Sequence, residues 1–369
     1  MSALKELYEK IPPKGDLQFI YFGLTSSCNL RCFYCYDESI REEEKTRDEL
    51  SLNEIEGIVD DCQKLNLSLV TITGGEPLVN PNWYEVGKMF NDIGVGVSYS
   101  TNGTLLSEEN IKKLSEINAG IQISLDGNDE VMEWVTKGKR IYSKTMESID
   151  ICKKYGVSVH LNSVVGKHNI DFIDQFIEEI HEKEVRCRFV PYNYELNPKY
   201  SEYALTIQEK YELIMKINEY NKKKNTRHIR MTLPPLMTPE CIPFSIQPAC
   251  GWAYNMAGIL PNGDVSVCAP ASGVSFFRAG NIRDSSFYDI WNNSELLKKL
   301  RSYNVSDLKG VCAECPVNEV CAGSCRVAAY LRTGDETSPG SLCQEFYDAV
   351  MDGLIDTKTF PIGVVEIEK

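Results

Sequence analysis

The 369-residue sequence has no apolar run approaching the 18 or more residues that a membrane-spanning helix requires. Its first residues, MSALKELYEK, lack the apolar core of a secretory signal. These absences argue against a membrane-embedded or exported protein, and the expected location is the cytoplasm. Basic residues are also in deficit, since 39 Lys and Arg face 53 Asp and Glu for a formal charge of −14. Such an excess repels phosphate backbones, so no nucleic-acid partner is expected, and no membrane partner either. No fixed-period repeat or long low-complexity tract is present. With 43% apolar and 25% charged residues the chain has an ordinary globular composition. Its length allows two domains and a short third at roughly 150 residues each.

What the sequence has in excess is cysteine, at fourteen. A reducing cytosol would not keep them as disulfides, so metal or cluster ligation is expected. From Leu17 to about Met231 short β-rich runs alternate with amphipathic ones. Residues 17–24, 68–73, 95–100, 120–125, 157–165 and 185–190 read as strands. Between them, 51–65 reads as a helix opened by a capping box of Ser51 and Glu54, and 107–117 repeats the device with Ser107 and the weaker partner Asn110. The expected class is α/β, a parallel sheet covered by helices, either open or curved into a partial barrel. Residues 226–249 carry five prolines and read as a connector. A second unit follows, with a hairpin turning at Asn262-Gly263 and a single helix over 285–301. The expected division is a leader segment 1–16, a core 17–225, the connector 226–249, a cysteine-rich domain 250–345 and a tail 346–369.

Cys28, Cys32 and Cys35 follow the first strand directly, at the strand end where α/β sheets bind ligands. Three thiolates on one loop suffice for three irons of a cubane and leave the fourth open. Zinc with a remote fourth ligand is the competing reading.

The spacing C-x3-C-x2-C, with Tyr34 just before the third cysteine, resembles the signature of the radical S-adenosylmethionine (SAM) superfamily. The resemblance implies a partial (β/α)6 barrel, SAM chelated at the open iron, and reductive cleavage of the sulfonium to a 5′-deoxyadenosyl radical. It also implies a flavodoxin- or ferredoxin-type electron donor and oxygen sensitivity. Gly74-Gly75-Glu76-Pro77 resembles the family's GGE motif, implied to hold the amino group of SAM. Thr101-Asn102-Gly103 and Ser124-Leu125-Asp126-Gly127 resemble later strand-end elements, which makes Thr101, Asn102, Ser124 and Asp126 implied cofactor contacts. The His-Asp-x-x-Arg that often follows is missing, and the cationic partner of the SAM carboxylate is left between Lys137 and Arg140.

The remaining cysteines, Cys250-x12-Gly263-x4-Cys268, then Cys312-x2-Cys315-x5-Cys321-x3-Cys325 and Cys343, resemble the SPASM extension. A zinc ribbon is the alternative for Cys312, Cys315, Cys321 and Cys325. The resemblance implies two auxiliary [4Fe-4S] clusters, three clusters in all. One takes Cys312, Cys315, Cys321 and Cys343. The nearer one takes Cys250, Cys268 and Cys325, with Met256 standing where some relatives have a fourth cysteine, so that it has an open iron or borrows Cys241. Cys62, Cys152 and Cys187 read as core residues.

By the same resemblance the substrate is a ribosomally made peptide or protein that is crosslinked, epimerised or oxidised. Decarboxylation of a tetrapyrrole propionate is the second reading, and a non-catalytic iron–sulfur scaffold is the third. With about sixteen residues ahead of the core in this sequence, no sizeable N-terminal peptide-recognition domain is expected, and a leader is expected to be recognised elsewhere or not used. The negative charge favours a cationic or neutral peptide over a multi-carboxylate tetrapyrrole. Cys241 is a positional candidate for a hydrogen-atom donor, and Tyr192 and Tyr194 for substrate-facing side chains.

Overall fold

A computed structural model describes residues 14–35, 49–234, 250–315 and 318–355. Among them ten strands form one sheet in the order β10-β9-β8-β1-β2-β3-β4-β5-β6-β7. The strands are β1 (Phe19–Thr25), β2 (Leu69–Gly74), β3 (Gly96–Thr101), β4 (Gly120–Ser124), β5 (Val159–Val165), β6 (Arg186–Pro191), β7 (Ile229–Met231), β8 (Met256–Ile259), β9 (Asp264–Ser266) and β10 (Arg278–Asn281). All neighbours from β8 through β1 to β7 are parallel. The six expected core strands are thus present within one or two residues of their expected bounds.

Parallel neighbours need crossovers, and helices supply them: α1 (Leu52–Lys64), α2 (Trp83–Asp92), α3 (Glu108–Glu116), the pair α4 (Asp129–Val135) and α5 (Tyr142–Lys154), α6 (Ile173–Glu182) and α7 (Ile207–Lys224). Alternation along each strand sorts its side chains. Ile20, Phe22, Val70, Ile72, Ile121, Ile123 and Phe189 are buried under the helices. Phe22, for example, meets Phe90 of α2 edge-on at 5.7 Å. The other face of each strand looks into the concave interior.

Both halves of the Ser51–Glu54 capping box form, with Ser51 N–H donating to Glu54 at 2.8 Å. At Ser107 only half forms. The Asn110 N–H donates to Ser107 Oγ at 3.2 Å, but the Asn110 amide turns to the Leu105 carbonyl, since an Asn side chain is too short to reach back as Glu54 does.

The structure differs from expectation in the second unit. The helix expected over 285–301 is two, α8 (Phe287–Asn293) and α9 (Glu295–Ser302), because Ser294 leaves the helical conformation with ψ 126° and its hydroxyl donates to the Ala279 carbonyl at 2.9 Å. The break lets Trp291 and Leu297 both reach full burial. The expected hairpin forms as antiparallel β8 and β9. Its first strand lies parallel on β1, with Phe19 opposite Met256 and Tyr21 opposite Gly258, so the second unit continues the barrel sheet. At the other edge β7 occupies the start of the expected connector. The unit is completed by α10 (Asn318–Cys321), α11 (Arg326–Thr333) and α12 (Ser341–Met351). Among the described residues no helix is long and apolar enough to cross a membrane.

Candidate active site

The loop after β1 carries Cys28, Cys32 and Cys35, all half-buried. It is held from several sides at once. Phe33 N–H donates to the Val135 carbonyl at 3.0 Å, and the Asn197 amide donates to the carbonyls of Phe33 and Cys35 at 3.2 and 3.4 Å. The Arg31 guanidinium donates to the Cys28 carbonyl at 2.8 Å. The ring of Phe33 is buried among Trp134, His168 and Tyr203, at 4.5, 5.1 and 5.4 Å. Burial in this nest holds His168 down at about 4.

Gly74 to Pro77 lie against the start of that loop. Gly75 N–H donates to the Thr25 carbonyl at 2.7 Å and Glu76 N–H to that of Ser27 at 2.9 Å. A Cβ on Gly75 would stand 2.2 Å from the Ser27 oxygen, and Gly74 has φ +125°. The glycines are therefore required by the approach of the cysteine loop itself. Glu76 is fully buried and accepts from Thr101 Oγ1 at 2.7 Å, Asn102 N–H at 2.7 Å and Leu78 N–H at 3.2 Å. Burial raises its pKa against those bonds. Its carboxylate ties the β2 loop to the β3 loop. Asn102 in turn donates to Asn29 at 2.8 Å, with its amide nitrogen 4.0 Å from Cys28 Sγ.

Ser124 ends β4, half-buried on the inner face. Asp126, fully buried, accepts from the Tyr34 hydroxyl and from Val164 N–H. Burial outweighs these bonds and pushes its pKa up to about 7. The carboxylate implied as a cofactor contact thus braces the cysteine loop against β5. Lys137 and Arg140 are exposed, and Arg140 pairs with Glu133 at 3.4 Å. The structure brings Gly74, Gly75, Glu76, Pro77, Thr101 and Asn102 together with the cysteine loop, and leaves those two cations at the surface. Tyr192 packs behind the loop against Phe33, and Tyr194 donates to Glu345 of α12 at 3.2 Å. Both serve packing between elements.

In the second unit the thiols sort into two groups by the fields they feel. Cys268, already raised by burial, is raised further by Cys250 and Cys325. Cys343, also raised first by burial, feels Cys321, Cys312 and Cys315. Cys250 touches both sets, feeling Cys325 and more weakly Cys321, and burial pushes it up to about 12. Met256 opens β8, and Cys241 lies outside the described residues. Cys62, Cys152 and Cys187 are buried in the core. A hollow lined by Tyr21, Gly23, Thr73, Gly74, Gly258 and Ser272 lies where β1, β2 and β8 meet. Burial raises the Tyr21 pKa, Arg188 opposes that rise, and Cys268 and Cys250 add to it. Among the described residues no three His, Cys, Asp or Glu converge on the geometry of a single ion.

Residues 23–180 match the radical SAM superfamily, and residues 250–316 match SPASM, an iron–sulfur cluster-binding domain. The chain is a radical SAM enzyme with a SPASM domain. The AdoMet-dependent heme synthase of Methanosarcina barkeri is 28% identical over 88% of this chain and 96% of its own. The mycofactocin maturase MftC of Mycolicibacterium smegmatis is 27% identical over 88% and 82%. The structure of SuiB from Streptococcus suis bound to precursor peptide SuiA superposes with a TM-score of 0.74, at 16% identity, over 93% of this chain and 79% of that one. That likeness concerns the fold. The iron–sulfur match supersedes zinc ribbon chemistry for the cysteine-rich unit.

One residue that motif reading passed over tests whether the radical SAM enzyme's second unit fits iron–sulfur clusters. Arg326 is 1% exposed. Its Nη1 donates to the carbonyls of Glu336 and Ser338 at 3.0 and 2.7 Å, while Nε and Nη2 have no partner among the described residues. It lowers the pKa of Cys250, Cys312, Cys321, Cys325 and Cys343 alike. A buried guanidinium with unused donors amid two thiol groups suits anionic clusters that accept hydrogen bonds. Its only sequence signal was its place directly after Cys325.

Proposed function

We propose that this enzyme binds SAM at a [4Fe-4S] cluster on Cys28, Cys32 and Cys35 and modifies a ribosomally made peptide or protein, by crosslinking, epimerisation or oxidation. The observation that carries the reading is the convergence of the GGE segment, Thr101 and Asn102 on the three-thiol loop, with a second set of thiols joined to the same sheet through β8. When bound, the cluster and SAM supply a 5′-deoxyadenosyl radical. The chain's own part is placement. Glu76 fixes the loops, leaving their backbone groups and Asn102 to orient the cofactor. Tyr34 and Asp126 hold the cysteine loop rigid, and the aromatic nest around Phe33 excludes water behind it. Cys250, Cys268 and Cys325 would hold one auxiliary cluster, and Cys312, Cys315, Cys321 and Cys343 the other. The maturase named among the relatives supports a peptide substrate, as does the fold shared with a peptide-bound neighbour.

A tetrapyrrole substrate is the second reading, supported by the heme synthase and by the arginines inside the barrel described below. Anaerobically reconstituted, reduced enzyme is expected to convert SAM to methionine and 5′-deoxyadenosine. Absence of both products leaves only the non-catalytic scaffold reading.

A further inference from the structure

The chain's net charge of −14 is not distributed into the barrel. On the concave face of β4 to β7, register pairing sets side chains in two rows. Ser124, Asn162, Arg188 and Arg230 form the upper row, and Gln122, His160 and Arg186 the one below. Their neighbours in sequence, Cys187, Phe189, Ile229 and Met231, are buried on the helix side, so these side chains line the opposite, open face, where His160, Arg186, Arg188 and Arg230 are all exposed to solvent. Three arginines and a histidine therefore share one patch.

Two features show a patch built for a ligand. The Arg188 fork is held by neutral acceptors, Nε to Asn162 Oδ1 at 3.1 Å and Nη2 to Gln122 Oε1 at 3.2 Å. Among the described residues no carboxylate pairs with Arg186, Arg188 or Arg230, although acidic residues abound in the chain. Secondly, the cations oppose one another. His160 is lowered first by burial and then by Arg186 and Arg188, and Arg188 and Arg230 stand directly opposite on adjacent strands. Like charges so placed destabilise a sheet, and such conflict is retained where function requires it. The patch lies in the same row as Ser124, two strands or about 10 Å away. Arg188 also lies within the field of Tyr21.

We propose that the substrate presents a carboxylate to Arg188 and Arg230, with Arg186 and His160 forming the next ring. Arginine forks match carboxylate geometry and hold it in two parallel hydrogen bonds, which would fix the reacting carbon beneath the cofactor. The preference drawn from net charge is reversed inside the barrel. This inference rests on the barrel being the substrate site of a radical SAM enzyme. Its carboxylate is an acidic side chain or C-terminus of a peptide, or the propionate of a tetrapyrrole.

The test is binding to the reconstituted enzyme with SAM, read by fluorescence. One probe pair is a labelled decapeptide amide with four Glu and the same peptide with four Gln. The other is coproporphyrin III and its tetramethyl ester. In at least one pair the acidic member is expected to bind tenfold or more tighter, and the pair that shows this names the source. Arg188→Gln should reduce the preference below threefold, while Arg188→Lys retains most of it. Arg230→Gln should reduce it too, and decides the matter if Arg188→Gln does not fold. Equal binding of acidic and neutral members, or a preference that survives in the folded Gln variants, overturns the proposal. SAM cleavage by the wild-type enzyme is scored separately. Its loss defeats the radical reading, whereas intact cleavage without charge preference defeats this inference alone.

Discussion

Single side chains of this enzyme do two kinds of work around the cysteine loop, and the hydrogen bonds tell them apart. Asp126, itself fully buried, satisfies two donors, Tyr34 and Val164 N–H. Asp126→Ala should therefore cost about 2–4 kcal/mol in denaturant unfolding, the penalty of two donors left without their acceptor. His168 makes a different prediction. Its folded pKa of about 4 lies below its ordinary 6.5, so the unfolded chain takes up the proton first. The stability it contributes is complete above pH 6.5 and is lost as pH falls toward 4. His168→Phe keeps the ring in the nest and should flatten that part of the pH–stability profile, by at most about 3 kcal/mol. An unchanged acid limb would show that His168 is hydrated. The motif SLDG placed Asp126 among the implied cofactor contacts, and only the tertiary structure shows that it also braces the cysteine loop, through Tyr34 and Val164 N–H.

Among elements, the contact that matters most is the strap of Gly74 to Glu76 across the start of the cysteine loop. A methyl on Gly75 would overlap the Ser27 carbonyl at 2.2 Å, and backbone on both sides leaves nothing flexible to yield. Gly75→Ala is expected to lose about a third of the bound iron, the share of one cubane in three, while the auxiliary clusters remain. Iron and acid-labile sulfide assays measure this, and full iron content would contradict it. Strands and helices here were legible because period-2 and period-3.6 patterns are local. The break at Ser294 was not, since it depends on a carbonyl fifteen residues earlier.

For the whole molecule, the sheet is the organising object. Pairing of β8 on β1 places Cys250 and Cys268 within the field of Tyr21, which also feels Arg188. Arg326 stands between the two auxiliary thiol groups. Its charge should favour the reduced, more negative state of whatever clusters lie there. Arg326→Met is accordingly expected to shift both auxiliary potentials downward in an anaerobic titration followed by electron paramagnetic resonance. A shift confined to one cluster, or none, would place the guanidinium outside the pair.

The sequence by itself determined the chemistry class, because metal ligation is written in residue type and spacing: ten of the fourteen cysteines stand in the two motif patterns. It also determined the alternation of strands and helices, which follows from local periodicity. Only the tertiary structure decided what those residues do for one another. That Glu76 and Asp126 tie neighbouring loops together and that Arg326 is buried near both sets of thiols depend on partners from distant segments. So does the cationic concave face of an acidic chain, since which side of each strand is covered is settled by the packing of the helices on the sheet.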